Sequence, residues 1–242
     1  VTSSCSQPVC SSAPEQPASP IPGKVEPGST VQSGGVSTWR CPRAWALLIT
    51  VTLLGLVLDL GSKWWAFRSL GPTPVVVVRD QVLTTRDLGN LIPFPARREI
   101  VPNLLDFTLV LNPGAVFGMG AGKRAFFIAF TVIAVGFALW MFAVWTTRKD
   151  AFSHVAIGLV LSGGLGNLYD RLTFACVRDF IHPLPGVNLP FGWSWPWGGR
   201  EVWPYVSNVA DLWLLIGIAI LLVVMLRTPA PRDASSRSVA NA

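Results

Sequence analysis

The sequence predicts an all-α membrane protein: four transmembrane helices with a small extracytoplasmic β-cradle. Three observations carry this. Of 242 residues, 51% are hydrophobic and only 13% charged, whereas a soluble domain carries about 25% charged residues. Four apolar segments each approach the ~20 residues that cross ~30 Å of hydrocarbon. Eleven Trp add a residue type that favours the membrane–water boundary.

The elements follow in chain order. Residues 1–39 are rich in Ser, Pro, Gly and Val and almost free of aromatic residues, which predicts a disordered tail. They lack the basic start and apolar core of a secretory signal peptide. Residues 40–227 are expected to form one four-helix membrane domain, and 228–242 a second disordered tail. The first span is about 44–66, "AWALLITVTLLGLVLDLGSKWWA". The loop 67–124 contains β-rich "PVVVV" at 74–78 and alternating "LLDFTLVLN" at 104–112. It predicts a small antiparallel sheet, with Leu105, Phe107, Leu109 and Leu111 on one face.

The second span, 125–145, is joined by the short "TTRKD" to the third, about 151–169. The third is the least apolar, holding His154, Ser153 and Ser162. Its Gly158, Gly163, Gly164 and Gly166 suit an inner helix that neighbours approach closely. The loop 171–207 is broken by Pro and Gly, and its four Trp predict contact with lipid headgroups. The fourth span is about 209–226. Arg40, Arg43, Arg148, Lys149 and Arg227 flank the spans on one side, which places both termini in the cytoplasm by the positive-inside rule.

The net charge of +6 comes from scattered Lys and Arg with no dense block. It reads as membrane-flanking charge, and no nucleic-acid partner is expected. Cys5, Cys10, Cys41 and Cys176 form no CxxC pair, and His154 and His182 stand far apart. No metal site, cofactor or disulfide framework is expected.

Ionisable groups inside spans are expensive and therefore candidates for function. Asp59 and Lys63 lie four residues apart on one helix face and are expected to pair, with Lys63 snorkelling toward the outer surface. "GGLGNLYDRL" gathers Asn167, Asp170 and Arg171 within about a turn, with Arg171 the expected partner of Asp170. Asp179 lies in an extended apolar stretch, where Arg178 would point to the other face. Asp211 stands at the mouth of the fourth span, one turn after Asn208. Asp179 and Asp211 thus lack local partners and sit at the same expected membrane level. A close pair of carboxylates in a low-dielectric site keeps one proton between them. Such a pair can activate a water and protonate a leaving amine, as peptide hydrolysis requires. A proton-coupled transporter would also use membrane carboxylates, but internal repeats and broken mid-membrane helices are its signature. A plain membrane anchor would leave the clustered polar groups without a purpose.

The stretches "LDLGSKWWA", "LNPGAVFG", "GGLGNLYDR", "VRDFI" and "SNVADLWL", in this order over about residues 44–226, resemble the lipoprotein signal peptidase (signal peptidase II) family of bacterial membrane aspartic proteases. The resemblance implies an aspartic endopeptidase of the bacterial inner membrane, with its active site at the extracytoplasmic face. It would remove signal peptides from diacylglyceryl-modified, and so lipid-modified, prolipoprotein substrates, in contact with membrane lipids and without a metal. It casts Asp179 and Asp211 as catalytic. Asp59, Lys63, Asn112, Gly114, Asn167, Asp170, Arg171 and Asn208 become substrate-binding or supporting residues, and Phe117 matches the family's N-x-G-x-x-F motif. Two features depart from the family pattern. Ser207 replaces a large apolar residue, and the loop between Asp179 and Asn208 is longer than usual.

Overall fold

The structure, a computed structural model, describes residues 38–114, 124–196 and 198–227. Both tails, apart from Thr38 and Trp39, lie outside these residues, as does Phe117. Thr38 and Trp39 belong to a 3₁₀ turn, Thr38–Arg40, in which Thr38 is buried. The Thr38 hydroxyl donates to the Thr146 carbonyl at 2.5 Å.

The elements run α1 (Pro42–Ser69), α2 (Arg79–Thr84), β1 (Arg97–Val101), β2 (Leu105–Asn112), α3 (Arg124–Trp145), α4 (Ala151–Thr173), β3 (Val177–Pro183) and α5 (Val209–Arg227). Four of the helices, α1, α3, α4 and α5, are long and apolar enough to cross a membrane. These match the four expected spans, each beginning and ending within a few residues of its predicted bounds. They alternate in direction, so Arg40, Arg148 and Arg227 fall at one end and the sheet at the other.

The third span is the inner helix. Some 56% of its most apolar window is buried, against 22% or less in the other three. It packs on α5, α1 and α3. Small residues make this possible because a side chain at these positions would meet a neighbouring helix. A Cβ at Gly217 of α5 would lie 2.7 Å from the Ala156 carbonyl, and one at Gly163 would strike the Ala210 carbonyl. Leu48, Phe142, Ile157 and Leu161 fill the space between α1, α3 and α4.

The sheet is antiparallel in the order β1-β2-β3. Leu109 and Leu111 of β2 and Phe180 of β3 pack with Ala66 and Phe67 of α1 and with Leu70 just after it. This sheet core therefore rests on the helix ends. Asp106 is fully buried and ion-paired to Arg97 of the neighbouring strand. The β-rich run at 74–78 is not a strand. It joins no ladder, and its Val75 N–H bonds the Phe67 carbonyl at the end of α1 at 2.7 Å. Val75 and Val77 pack onto the sheet core from outside the ladder. The edge strand is instead the charged, exposed β1, a composition that discourages further pairing.

Candidate active site

The site grows from the first turn of α5. Asn208 is the residue before the helix, and its Oδ1 accepts the Asp211 N–H at 3.2 Å. Asp211 answers by accepting the Asn208 N–H on Oδ2, also at 3.2 Å. This is the reciprocal arrangement of a capping box, built here from Asn and Asp. It satisfies two orphan donors, and it holds the Asp211 carboxylate against the helix start.

The amide of Asn208 reaches further. Its Nδ2 donates to Asp179 Oδ1 at 2.5 Å and to Asn167 Oδ1 at 3.2 Å. Asn167 in turn donates to Asp211 Oδ1 at 2.8 Å. The two carboxylates are thus tied together by two amides. Asp179 Oδ2 receives a further bond, 3.1 Å, from Asn112 Nδ2. Asn112 is oriented by the Gly114 N–H, which donates to its Oδ1 at 2.9 Å. Gly114 has φ of +100°, and a Cβ there would stand 2.8 Å from the Phe127 ring. The position therefore favours glycine twice over.

Strand geometry brings Asp179 into place. Val110 of β2 is its partner, and Asn112 lies two residues along on the same strand. The chain returning to α5 pairs with β3 at Ser207, whose N–H donates to the Ile181 carbonyl at 2.8 Å. Ser207 also accepts the Phe180 and Ile181 N–H groups on its own carbonyl. Ser207 therefore contributes backbone pairing that fixes where α5 begins beside β3, and a large apolar side chain is not needed for that.

Below the carboxylates lies a buried ionic layer. Lys63 is fully buried and bonds Asp59 Oδ2 at 2.8 Å and Asn167 Oδ1 at 3.1 Å, with Asp170 Oδ2 at 3.6 Å. It does not snorkel. Three oxygen partners inside the bundle replace the water it would otherwise seek. Asp59 Oδ1 accepts the Ala210 N–H at 2.8 Å, which joins α1 to α5. Gly166 leaves room for the Asp59 carboxylate, since a Cβ there would collide with Oδ2.

The partner of Asp170 is Arg178 rather than Arg171. Arg178 donates from Nη2 to Oδ1 at 2.8 Å and from its backbone N–H to Oδ2 at 3.0 Å. The alternation of β3 turns Arg178 to the face opposite Asp179, and that face meets α4. In the sequence only the direction of Arg178 away from Asp179 is legible, and that gives no signal of a partner on α4. Arg171 donates to the Asn167 carbonyl at 3.3 Å and lies over the Phe127 ring, 5.5 Å from its centroid. Its charge couples to those of Asp211 and Asp179.

Electrostatics distinguish the two acids. Asp179 is only 2% exposed. Burial, and then the charge of Asp211, push its carboxyl up to about 7, against the opposite pull of the Asn208 and Asn112 bonds. Asp211 is partly exposed and borders an apolar groove that also touches Leu212 and Leu215. The arrangement offers one carboxyl that holds a proton near neutral pH beside a second that faces an opening. Cys176, three residues before Asp179, is buried, and its thiol is pushed up to about 12. It is therefore unreactive.

These features define a multi-pass membrane protein with paired carboxylates at the sheet end of a four-helix bundle. Residues 51–227 match the model of the family described as Signal peptidase (SPase) II. The chain belongs to that family, and is accordingly a protease of bacterial membranes. It is 31% identical over 176 residues to the lipoprotein signal peptidase of Staphylococcus haemolyticus (strain JCSC1435), covering 73% of this chain and 98% of that one. It is 32% identical over 171 residues to the lipoprotein signal peptidase of Staphylococcus aureus (strain JH9), covering 69% and 92%. In fold it is similar to a bacterial membrane enzyme solved by the in meso method. The TM-score is 0.52 at 22% identity, covering 82% of this chain and 96% of that one.

Proposed function

We propose that this protein is an aspartic endopeptidase that removes signal peptides from diacylglyceryl-modified prolipoproteins, with Asp179 and Asp211 as its catalytic pair. One observation carries the reading: one residue, Asn208, bonds both carboxylates, Asp179 through its side-chain amide and Asp211 through its backbone N–H, while burial and the Asp211 charge raise Asp179 to about 7. Asp179 then holds a proton near neutral pH. Asp211, the more open of the two, takes a proton from a water as its oxygen attacks the scissile carbonyl. Protonated Asp179 donates to the carbonyl oxygen. When the tetrahedral intermediate collapses, the C–N bond breaks and the amine leaves with a proton from the pair. Asn112, Asn167 and Asn208 hold the carboxylates, and the Lys63 layer fixes Asn167 beneath them.

The precursor's acyl chains stay in lipid while its peptide reaches the sheet end of the bundle. The basic residues at the other end support a cytoplasmic location for the termini, and so an extracytoplasmic site.

The test is cleavage of a lipidated precursor by membranes containing the variants. Asp179→Asn and Asp211→Asn each lower the rate by about 10²–10⁴-fold, with normal membrane insertion. Full activity in either variant overturns the assignment. The dyad activates water without a metal, so EDTA leaves the rate unchanged. A loss that zinc restores argues against it.

A further inference from the structure

The long segment between β3 and α5 is a braced structure. Leu189 N–H bonds the Arg200 carbonyl and Val202 N–H bonds the Val187 carbonyl, both at 2.7 Å. Glu201 gathers the rest. Its Oε1 accepts the Gly186 N–H at 3.2 Å, and its carbonyl accepts Trp195 Nε1 at 2.8 Å. Its Oε2 lies 3.8 Å from His182 Nε2 on β3. This bracing sets down Trp203, two residues further on, in a groove that Asp211 also lines. Trp203 lines a groove of about 360 Å³ together with Ile181 and Leu184 and with Leu212 and Leu215 of α5. Asn208 and Asp211 line it as well.

We infer that Trp203 is a specificity-determining residue. It forms the wall of a pocket for an apolar side chain of the signal peptide, among the last few residues before the scissile bond. The inference rests on the function proposed above. The groove's position commits it to that occupant. It starts at the carboxylate that would handle the water, so whatever fills it is close to the scissile bond. An acyl chain gains little on leaving hydrocarbon for an equally apolar groove. A peptide side chain lifted out of lipid to the level of Asp211 faces water, and it gains the full benefit of burial against Trp203 and the two leucines.

The test uses the full chain in lipid vesicles and a series of lipidated precursors. In the series, each of the last residues before the scissile bond is in turn Leu or Ala, and the acyl chains are long or short. At one position, Trp203→Ala lowers the Leu-to-Ala ratio of kcat/KM about tenfold or more. Trp203→Phe restores most of the ratio, and Trp203→Leu, a milder cut, moves it in the same direction as Trp203→Ala. An unchanged ratio overturns the inference. So does an equal loss on every precursor, which indicates a brace alone, or a loss that follows acyl length, which indicates a lipid chain in the groove. Failure of the underlying reading shows separately, as cleavage that survives Asp179→Asn.

Discussion

Asn208 uses every hydrogen-bonding group of its side chain on the site. Its oxygen caps α5 through the Asp211 N–H, and its nitrogen serves Asp179 and Asn167. Asn208→Ala is therefore expected to cost both a helix cap, about 1 kcal/mol, and the link between the carboxylates. The prediction is a fall in kcat of about 10²-fold or more with little loss of thermal stability. A kcat near the parent value counts against a shared support. The pH profile is a second prediction at this scale. Catalysis needs the proton that the pair retains, and Asp179 lies at about 7. The rate therefore falls as pH rises through about that value. Asn112 lowers the pKa of Asp179 by bonding its charged form. Asn112→Ala thus moves the alkaline limb of kcat/KM to higher pH, and a shift to lower pH contradicts the role assigned to it.

Helix α4 meets α1 through charge as well as apolar packing. Lys63 binds Asp59 on its own helix and Asn167 and Asp170 on α4. Removing it leaves Asp59 buried with one backbone donor, Ala210. Lys63→Met is expected to destabilise the protein by about 3–5 kcal/mol, read as thermal unfolding in detergent. The double variant Asp59→Leu/Lys63→Met recovers most of that loss, because an apolar pair of similar volume carries no unpaired charge. If the double variant is no more stable than the single, the burden lies elsewhere in the layer. Gly166→Ala acts on the same contact from the opposite helix. Its Cβ would displace the Asp59 carboxylate, so a loss of about 1–3 kcal/mol is expected.

At the scale of the molecule, the four spans alternate so that the sheet, the carboxylates and the Trp203 groove share one end. Lys149 lies at the other end, between α3 and α4. A Cys introduced at Lys149 is therefore expected to react with an impermeant thiol reagent only from the cytoplasmic side. One introduced at Phe191, which is 90% exposed, reacts only from outside. The opposite pattern would invert the proposed orientation. The amount of burial also differs along the chain. The most apolar windows of α3 and α5 are only 11% buried. Their remaining apolar surface is available to lipid, and α4 is enclosed between them and α1.

The spans were legible in the sequence by themselves, because a bilayer imposes a length and a polarity that any apolar run of ~20 residues must meet. The inner position of α4 was legible from its glycines, and the extended course of Asp179 from its apolar neighbours. The pairing of Asp59 with Lys63 followed from helix periodicity, which is a local property. What was not local was not legible. The failed strand at 74–78 had the right residues and no partner. Lys63 is buried rather than snorkelling because Asn167 and Asp170 arrive from a helix about a hundred residues later. Arg178, and not the adjacent Arg171, takes Asp170 because β3 folds back against the end of α4. The sequence determined which groups were too costly to bury alone. Only the tertiary structure decided which of them would meet, since their partners come from separate helices and strands, and it set Asn208 where its side chain reaches one carboxylate and its backbone N–H the other.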